Sequence, residues 1–197
     1  MPKIEAPTVA EHRAQVQLRL VDATEQLMRS GEPLTAASVA AGAGIARNSI
    51  YRYVASVDEL RDMVVARYLP HWLDAVNAKL AAASCAEERI SVWVHANLRQ
   101  AADSGHGWLM AATRPAVTQV SGGAVDRAHL DMRATVAEDW LEVTNGDAQR
   151  AAVATALTVA VLEAGFRQLG RLDPELVIDQ ATRAAAGLIT SLQTADR

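Results

Sequence analysis

Apolar residues recur every three or four positions along most of the 197-residue chain, which is the spacing of one face of a helix. Strand-like alternation of apolar and polar residues is absent, and Gly31, Asn145-Gly146 and Asp173-Pro174 interrupt the periodic segments. The pattern predicts an all-α protein of about nine helices. Their approximate ranges are 8–30, 35–41, 46–54, 57–80, 87–102, 108–113, 124–144, 148–170 and 174–193.

The most informative segment is 34–60, where two short helical patterns flank Gly42-Ala-Gly44. Two helices joined by a tight glycine turn are the minimum of a helix-turn-helix unit. The apolar residues Ile45, Ile50 and Val54 are spaced to pack inward from the second helix. The opposite face carries the polar residues Arg47, Asn48, Tyr51 and Arg52.

Local signals place the ends of these helices. Thr35 is a residue that caps a helix N-terminus, and its hydroxyl with free backbone N–H groups also suits a DNA phosphate. Ser56 and Glu59 fit a capping box at the start of the next, long helix. Pro70 lies inside that helix and is expected to kink or split it.

The side chains of the second short helix suggest what it binds. Arginine reads guanine and asparagine reads adenine by paired hydrogen bonds, and the first residues of a recognition helix meet base edges in the major groove. Arg47 and Asn48 stand in that first turn. The segment therefore predicts sequence-specific binding to double-stranded DNA.

Charge is distributed in a way that fits this prediction. The chain carries a net charge of −4, which by itself argues against a general nucleic-acid binder. Residues 1–55 hold six basic and five acidic side chains, and residues 56–197 hold thirteen basic and eighteen acidic ones. No acidic residue lies between Glu32 and Asp58. A locally neutral-to-basic face on an acidic protein suits a small, specific DNA contact.

Catalytic and metal chemistry finds little support in the sequence. The five histidines are scattered without metal-ligand spacing, Cys85 has no evident base partner, and no glycine-rich phosphate loop occurs. We therefore expect no enzyme activity, no catalytic residue, no metal and no cofactor. A single cysteine, no apolar run of membrane-spanning length and no signal-peptide pattern indicate a cytoplasmic protein that does not enter a membrane.

The helix-turn-helix and its flanks resemble the TetR family of bacterial transcriptional repressors. The resemblance covers roughly 45 residues and is carried by Thr35, Val39-Ala40, Ala43-Gly44-Ile45-Ala46, Ser49-Ile50-Tyr51-Arg52-Tyr53-Val54 and Ser56-Val57-Asp58-Glu59-Leu60. The family usually has Phe where Val54 stands, which is a loss of bulk only. It usually has Lys where Val57 stands, and that Lys contacts a DNA phosphate, so one backbone contact is missing here.

The resemblance implies roles for individual residues of the segment. Bases would be faced by Arg47, Asn48 and Ser49, with Arg52 and Tyr53 at the groove or backbone and Thr35 and Tyr51 on phosphates. Ser56 has two open interpretations, a helix cap or a DNA contact. Tyr53 also has two, a DNA contact or packing on the first helix.

The last two helices are apolar on two faces, and a helix of this kind must bury both. One face is expected to meet a second copy of the chain, as the family resemblance also implies, whereas a monomer that buries both faces is the alternative. A dimer would present two reading heads to a palindromic operator. The expected interface consists of Leu157, Val161, Ala164, Gln168, Val177, Ala181, Ala184 and Leu188.

Large apolar side chains between the expected head and interface predict a small-molecule effector site, although each of them is also compatible with an ordinary core. The candidate lining residues are Trp72, Trp93, Trp108, Met110, Met132, Trp140 and Phe166, with Asn97, Arg99, Glu163 or Arg167 as polar anchors.

The prediction is thus a DNA-binding domain over 1–56 with three helices, followed by a larger helical effector-binding and dimerisation domain over 57–197. The favoured function is a dimeric repressor that an apolar effector releases from its operator. The alternative is a helical small-molecule binding protein with a degenerate DNA-binding head, and Val57 is the feature that favours it.

Overall fold

A computed structural model of the chain describes residues 8–104, 108 and 124–194. Within these ranges the chain is helical and contains no strand, which confirms the all-α prediction. The elements are α1 (Val9–Ser30), α2 (Ala36–Gly42), a 3-10 helix (Arg47–Arg52), α3 (Val57–Leu80), α4 (Ala86–Asp103), α5 (Ala124–Val143), α6 (Ala148–Gln168) and α7 (Pro174–Thr194). No helix within these ranges is long and apolar enough to cross a membrane. The helix expected over 108–113 lies mostly outside the described residues.

The chain divides into two compact units, one up to Tyr68 and the other from Leu69 onward. The division falls inside α3, whereas the sequence analysis placed it after residue 56. Polar contacts explain why the first turns of α3 belong to the first unit. Arg67 on α3 forms ion pairs with Asp22 and Glu25 on α1, at 2.8 and 3.1 Å.

The first unit begins with α1, whose two ends follow the local signals in the sequence. Thr8 caps it in a full capping box with Glu11, and Gly31 ends it in the left-handed conformation with φ 72°. The buried face of the helix includes Val16 and Leu20, which are 1% and 0% exposed. The apolar spacing of α1 therefore produces the packing that it predicted.

The turn after α2 depends on two glycines. Gly44 has φ +68°, a conformation that residues with a Cβ rarely adopt. Gly42 lies against α1, where an added Cβ would sit 3.0 Å from the Cβ of Ala23. The two glycines thus allow a sharp change of direction and a close approach of α2 to α1.

The second helix of the predicted helix-turn-helix is a 3-10 helix over Arg47–Arg52, not an α-helix over 46–54. Ala46 at its N-terminus gives no side-chain cap. A six-residue segment spans two turns or fewer at either 3.0 or 3.6 residues per turn, so apolar spacing cannot separate the two helix types.

Pro70 was expected to kink or split α3, and the helix runs through it without a break, so the split is wrong and the kink stays a prediction. A proline inside a helix removes one hydrogen bond and costs about 3 kcal/mol or more. The buried side chains Val64, Val65, Trp72 and Val76 on either side of Pro70 offset this cost.

In the second unit α4 packs against α5, α6 and α7, and these three helices also contact their sequence neighbours. Positive φ values at Asn145 and Gly146 end α5, and the Asp147 side chain accepts hydrogen bonds from two backbone N–H groups of α6. Helices α4 and α6 approach closely at Gly165, where an added Cβ would lie 2.8 Å from Leu98 Cδ2. Trp140 and Leu98 are fully buried in the core of this unit.

Candidate functional site

The 3-10 helix presents a polar surface on an apolar anchor. Ile50 is fully buried, while the neighbouring Tyr51 is 61% exposed. Arg47, Asn48 and Arg52 are exposed as well. The structure therefore leaves exposed all four polar residues that helical spacing had placed on one face. Ser49 is half-buried at the edge of this surface.

Side chains of α1 form hydrogen bonds to the backbone on both sides of the 3-10 helix. Gln17 Nε2 donates to the backbone oxygen of Tyr53 at 2.9 Å, just after the 3-10 helix. Arg19 Nε donates to the backbone oxygen of Ala43 at 3.2 Å, in the turn before it. Sequence reasoning missed both residues, because their partners lie more than twenty positions along the chain and leave no local pattern.

Tyr53 packs on the first helix, which was one of its two interpretations. The ring is half-buried, and the guanidinium carbon of Arg13 lies 6.0 Å from its centroid. A cation at this distance over an aromatic face is attracted by the ring. Tyr53 thus has a packing role that requires no DNA.

Thr35 and Ser56 both act as helix caps. The Thr35 hydroxyl accepts from the backbone N–H of Ser38 at 3.1 Å, and Ser38 Oγ accepts from the N–H of Thr35 at 3.0 Å. Ser56 Oγ accepts from the N–H of Glu59 at 3.0 Å, as the capping-box pattern predicted. The Glu59 carboxylate accepts from the N–H of Ala55, whereas a capping box would join it to the N–H of Ser56. Phosphate contacts by Thr35 and Ser56 stay predictions, and both hydroxyls already have a structural use.

The guanidinium groups of Arg47 and Arg52 are available to a binding partner. In the described part of the chain, neither Arg47 nor Arg52 forms an ion pair, and no carboxylate lies between Glu32 and Asp58 in the sequence. By contrast, Arg29 and Arg67 are occupied by Glu25 and Asp22. Unpaired guanidinium groups can donate to base edges or phosphates without first breaking an internal contact.

A polar cluster joins α1 to the first part of α3. Tyr68 Oη and Arg29 both donate to Glu25, and Arg67 adds a third donor at 3.1 Å. Burial raises the pKa of Glu25, but the hydrogen bonds from Tyr68, Arg29 and Arg67 outweigh it and leave that pKa below its ordinary value. The ionised carboxylate is therefore the form that the folded first unit favours.

The second unit contains a cavity of about 120 Å³ among α3, α4 and α5. Three of the expected effector-site residues, Trp93, Asn97 and Met132, line it. Sequence reasoning missed the other lining residues, since aliphatic and small polar side chains at helical spacing look like core or surface. They are Leu73, Val76, Asn77, Leu80 and Thr135.

Asn97 organises the buried end of this cavity. Its Oδ1 accepts from Trp72 Nε1 at 2.9 Å, and its Nδ2 donates to the backbone oxygen of Trp93 at 2.8 Å. Phe166 packs on Trp72 with the ring centroids 6.2 Å apart. Trp72 and Phe166 therefore support the lining residues but do not line the cavity themselves.

The remaining candidates for the effector site lie elsewhere. Trp140 is fully buried in the core, where its Nε1 donates to Thr158 at 2.9 Å. Glu163 pairs with Arg133 on the surface at 3.5 Å, and Arg99 pairs with Glu175 at 2.5 Å. Arg167 is exposed on α6, Trp108 is half-buried, and Met110 lies outside the described residues.

A buried ion pair links α4 to α5 near Trp140. Arg89 Nε lies 2.6 Å from Asp139 Oδ1, and Asp139 is 5% exposed. Burial raises the pKa of Asp139 above its ordinary value, more than the neighbouring Arg89 lowers it. The folded second unit thus favours the protonated form of this carboxyl more than the unfolded chain does.

The residues expected at a dimer interface separate into two groups. Leu157, Ala164 and Ala184 are exposed, and Val161, Gln168 and Leu188 are half-buried. Val177 and Ala181 are each 8% exposed and are buried within the protomer itself. Only the exposed and half-buried residues have accessible surface that a second copy of the chain can contact.

No protein-family model and no curated protein matches this chain. Solved structures do resemble it across nearly its whole length. A putative transcriptional regulator from Pseudomonas aeruginosa PAO1 is 16% identical with a TM-score of 0.64, and the match covers 93% of this chain and 95% of that one. A TetR-family regulator from Streptomyces coelicolor is 19% identical with a TM-score of 0.57 over 95% and 97% of the two chains.

RolR, solved in complex with the ligand resorcinol, is 16% identical with a TM-score of 0.53 over 93% of this chain and 95% of its own. Each of the three matches covers more than nine-tenths of both chains. The chain therefore has the fold of TetR-family transcriptional regulators, as the resemblance of its helix-turn-helix predicted.

Proposed function

We propose that this chain is a DNA-binding transcriptional regulator that reads the major groove with the 3-10 helix Arg47–Arg52. One observation carries the proposal. The exposed Arg47, Asn48, Tyr51 and Arg52 stand on a helix anchored by the buried Ile50, in a stretch without acidic residues. This combination gives base-reading donors, a fixed platform and no electrostatic repulsion of phosphates.

Arg47 and Asn48 are assigned to bases, and Tyr51 and Arg52 to bases or phosphates. A well-formed bidentate contact to one base discriminates by about 1–3 kcal/mol. Two such contacts give a specificity that is modest for a single head. A second head, bound to the other half of a palindrome, would multiply it.

The proposed dimer uses the exposed faces of α6 and α7. On α6 the side chains of Val153 and Leu157 are 57% and 47% exposed, and Ala164 continues the same face two turns along. On α7 the exposed Ala184 and Gly187 leave room for close approach of another helix. Two protomers joined through these faces would form a four-helix contact with two-fold symmetry.

The proposed regulation is repression that a small apolar effector relieves. The resorcinol complex of RolR is one fold neighbour with a bound small molecule. An effector that binds one conformation of the second unit better than another shifts the population of DNA-competent dimers. In cells, deleting the gene should raise expression from the neighbouring promoter, and a fall in expression would indicate activation.

The test is fluorescence anisotropy with duplexes that tile the DNA flanking the gene, over a range of salt concentrations. We expect one duplex to bind specifically, and Arg47→Ala to weaken it by about 1–3 kcal/mol. Arg171→Ala, which removes an exposed arginine from the second unit, is the matched control and should leave the affinity unchanged. Equal losses for the two variants would contradict the assignment of Arg47 to a base.

Two outcomes would overturn broader parts of the proposal. If every duplex binds with the same weak, salt-dependent affinity, the head is degenerate and the chain is a small-molecule binding protein. The dimer is tested by sedimentation of Leu157→Arg, which places a charge on the proposed interface. We expect this variant to be monomeric, and an unchanged sedimentation coefficient would refute this interface.

A further inference from the structure

We propose that the cavity among α3, α4 and α5 binds a small, uncharged aromatic molecule that carries a hydroxyl or a similar hydrogen-bonding group. Of its lining residues, Asn77 and Thr135 are exposed, whereas Trp93 and Asn97 are buried. It thus has a polar mouth, an apolar body and a polar buried end. Its use as the effector site rests on the proposed function, whereas the binding itself does not.

The size of the cavity limits the ligand to a single ring. Its volume is about 120 Å³. A protein cavity of about 150 Å³ lined by aliphatic and aromatic side chains accommodates benzene. At about 120 Å³ the present cavity is smaller, so a six-membered ring with one small substituent fits only if part of the ring extends into the mouth beside the exposed Asn77 and Thr135. A fatty acid or a polycyclic compound requires the walls to move.

The lining favours an aromatic ring over an aliphatic one. Trp93 offers an indole, and aromatic pairs gain energy from offset or edge-to-face contact beyond the area that they bury. Met132 offers a polarizable thioether, which also contacts aromatic rings favourably. Leu73, Val76 and Leu80 complete an apolar wall.

The absence of charge in the lining determines the charge of the ligand. Among the described residues that line the cavity, none is ionisable. A carboxylate or ammonium group would lose its hydration and meet no opposite charge, which is costly in a protein interior. The ligand is therefore neutral at physiological pH.

Asn97 supplies the hydrogen bonds for a polar substituent. Its amide has two N–H donors and two acceptor lone pairs. Within the described residues it uses one of each, toward the Trp93 carbonyl and the Trp72 indole. A ligand hydroxyl could occupy the remaining capacity.

A larger groove between α5 and α6, of about 580 Å³, is a weaker candidate for a small ligand. It is lined mainly by alanines and crossed at one end by the exposed pair Arg133 and Glu163. Leu141, which borders it, is 43% exposed. An open groove of this kind buries little of a small molecule, whereas specific pockets bury most of their ligand.

The experiment is calorimetric titration of the full chain, without DNA, with phenol and with benzoate at about pH 7. At this pH phenol is neutral, as expected from the pKa of about 10 of a phenolic hydroxyl, and benzoate is an anion. We expect phenol to bind saturably with one molecule per chain and benzoate to bind at least tenfold more weakly. Equal affinity for the two compounds would overturn the proposal.

Variants at the mouth locate the binding site. Thr135→Phe and Asn77→Phe each place a ring at the mouth of the cavity. Both positions are exposed, so the fold tolerates the added bulk. Both should weaken phenol binding at least tenfold, whereas Ala134→Phe, an exposed neighbour outside the lining, should not. If all three variants bind phenol like the parent chain, the site is elsewhere and the proposal is wrong.

The readouts separate this inference from the proposed function. Phenol binding is measured without DNA, and operator binding is measured without phenol. If the chain binds its operator but not phenol, the cavity assignment fails and the regulator stands. If it binds phenol at this cavity but no DNA, the cavity assignment stands and the proposed function fails.

Discussion

The two units of the chain build their candidate sites in opposite ways. In the first, the residues proposed to contact DNA, Arg47, Asn48, Tyr51 and Arg52, lie within six consecutive positions and are exposed on one short helix. In the second, the cavity residues come from three helices and span Leu73 to Thr135. A site made by neighbours in sequence can be read from the sequence, while a site made by packing requires the fold.

Aromatic residues divide between the units in a way that makes the comparison measurable. All three tyrosines lie at or before Tyr68, and all four tryptophans lie after Leu69. Tryptophan fluorescence therefore reports on the second unit alone, and tyrosine ring signals in NMR spectra report on the first. These signals therefore assign the effect of a substitution to one unit.

The largest effect is expected from the core of the second unit. Trp140→Ala removes a fully buried side chain and its hydrogen bond to Thr158, and should lower the free energy of unfolding by about 3–5 kcal/mol. Urea denaturation followed by circular dichroism measures the change. Leu141→Ala, at the exposed adjacent position, is the control and should change stability by less than about 0.5 kcal/mol.

The contact between α4 and α6 should give the next largest effect. Gly165→Ala places a methyl group 2.8 Å from Leu98 Cδ2, and overpacking of this kind costs about 1–3 kcal/mol. Urea denaturation again gives the change in unfolding free energy. In a Leu98→Val background, which lacks δ carbons, the same substitution should cost less. An equal cost in both backgrounds would show that Leu98 is not the source of the strain.

A smaller effect is expected in the first unit, where Gln17 of α1 donates a hydrogen bond to Tyr53, the residue that follows the 3-10 helix. Gln17→Ala removes the hydrogen bond to the Tyr53 carbonyl, which is worth about 1 kcal/mol, and should weaken operator binding roughly fivefold. Gln15→Ala, an exposed glutamine on the same helix, is the matched control for the anisotropy measurement. If the two variants bind alike, the contact does not position the reading helix.

The smallest effects are pH dependent and should have opposite signs in the two units. The lowered pKa of Glu25 means that its carboxylate stabilises the first unit at neutral pH, and this contribution is lost as pH falls through its ordinary pKa toward the lowered one. The raised pKa of Asp139 means that the second unit loses stability as pH rises from the ordinary pKa to the raised one.

Glu25→Gln and Asp139→Asn remove these titrations while nearly conserving shape. Between neutral pH and about pH 4, we expect Glu25→Gln to flatten the acid sensitivity of the tyrosine signals during unfolding. Asp139→Asn should make the tryptophan-reported unit more acid sensitive than the parent, because it removes a group whose protonation favours folding. The same direction of change in both variants would contradict one of the two pKa assignments.

Local chemistry explains which elements the sequence could predict. The caps at Thr35 and Ser56 and the stop at Gly31 depend on contacts within a few residues, and all three were predicted correctly. The exposure of Arg47, Asn48, Tyr51 and Arg52 was also predicted, because it follows from the spacing of neighbouring residues. The 3-10 geometry was missed because six residues are too few to separate the two helical periods.

Contacts between distant residues explain the rest. Pro70 splits no helix, since packing on either side outweighs its local cost. Val177 and Ala181 have the same spacing as Ala184, yet they are buried within the protomer and Ala184 is exposed. Trp72, Trp93 and Trp140 are alike in sequence terms, but only Trp93 lines the cavity. No periodicity reveals which face of a buried helix meets a void.

The 3-10 helix has a consequence for engineering. Six residues without an N-terminal side-chain cap are far below the length of about 12–15 residues at which an isolated helix becomes even marginally stable. Its shape is supplied by Ile50 below it and by Gln17 and Arg19 at its ends. A synthetic peptide of this segment would be unfolded, and a transplant of its sequence specificity into another regulator would have to carry those α1 side chains with it. The transferable part is therefore the unit of α1, α2 and the 3-10 helix, and the short helix proposed to contact DNA cannot be separated from it.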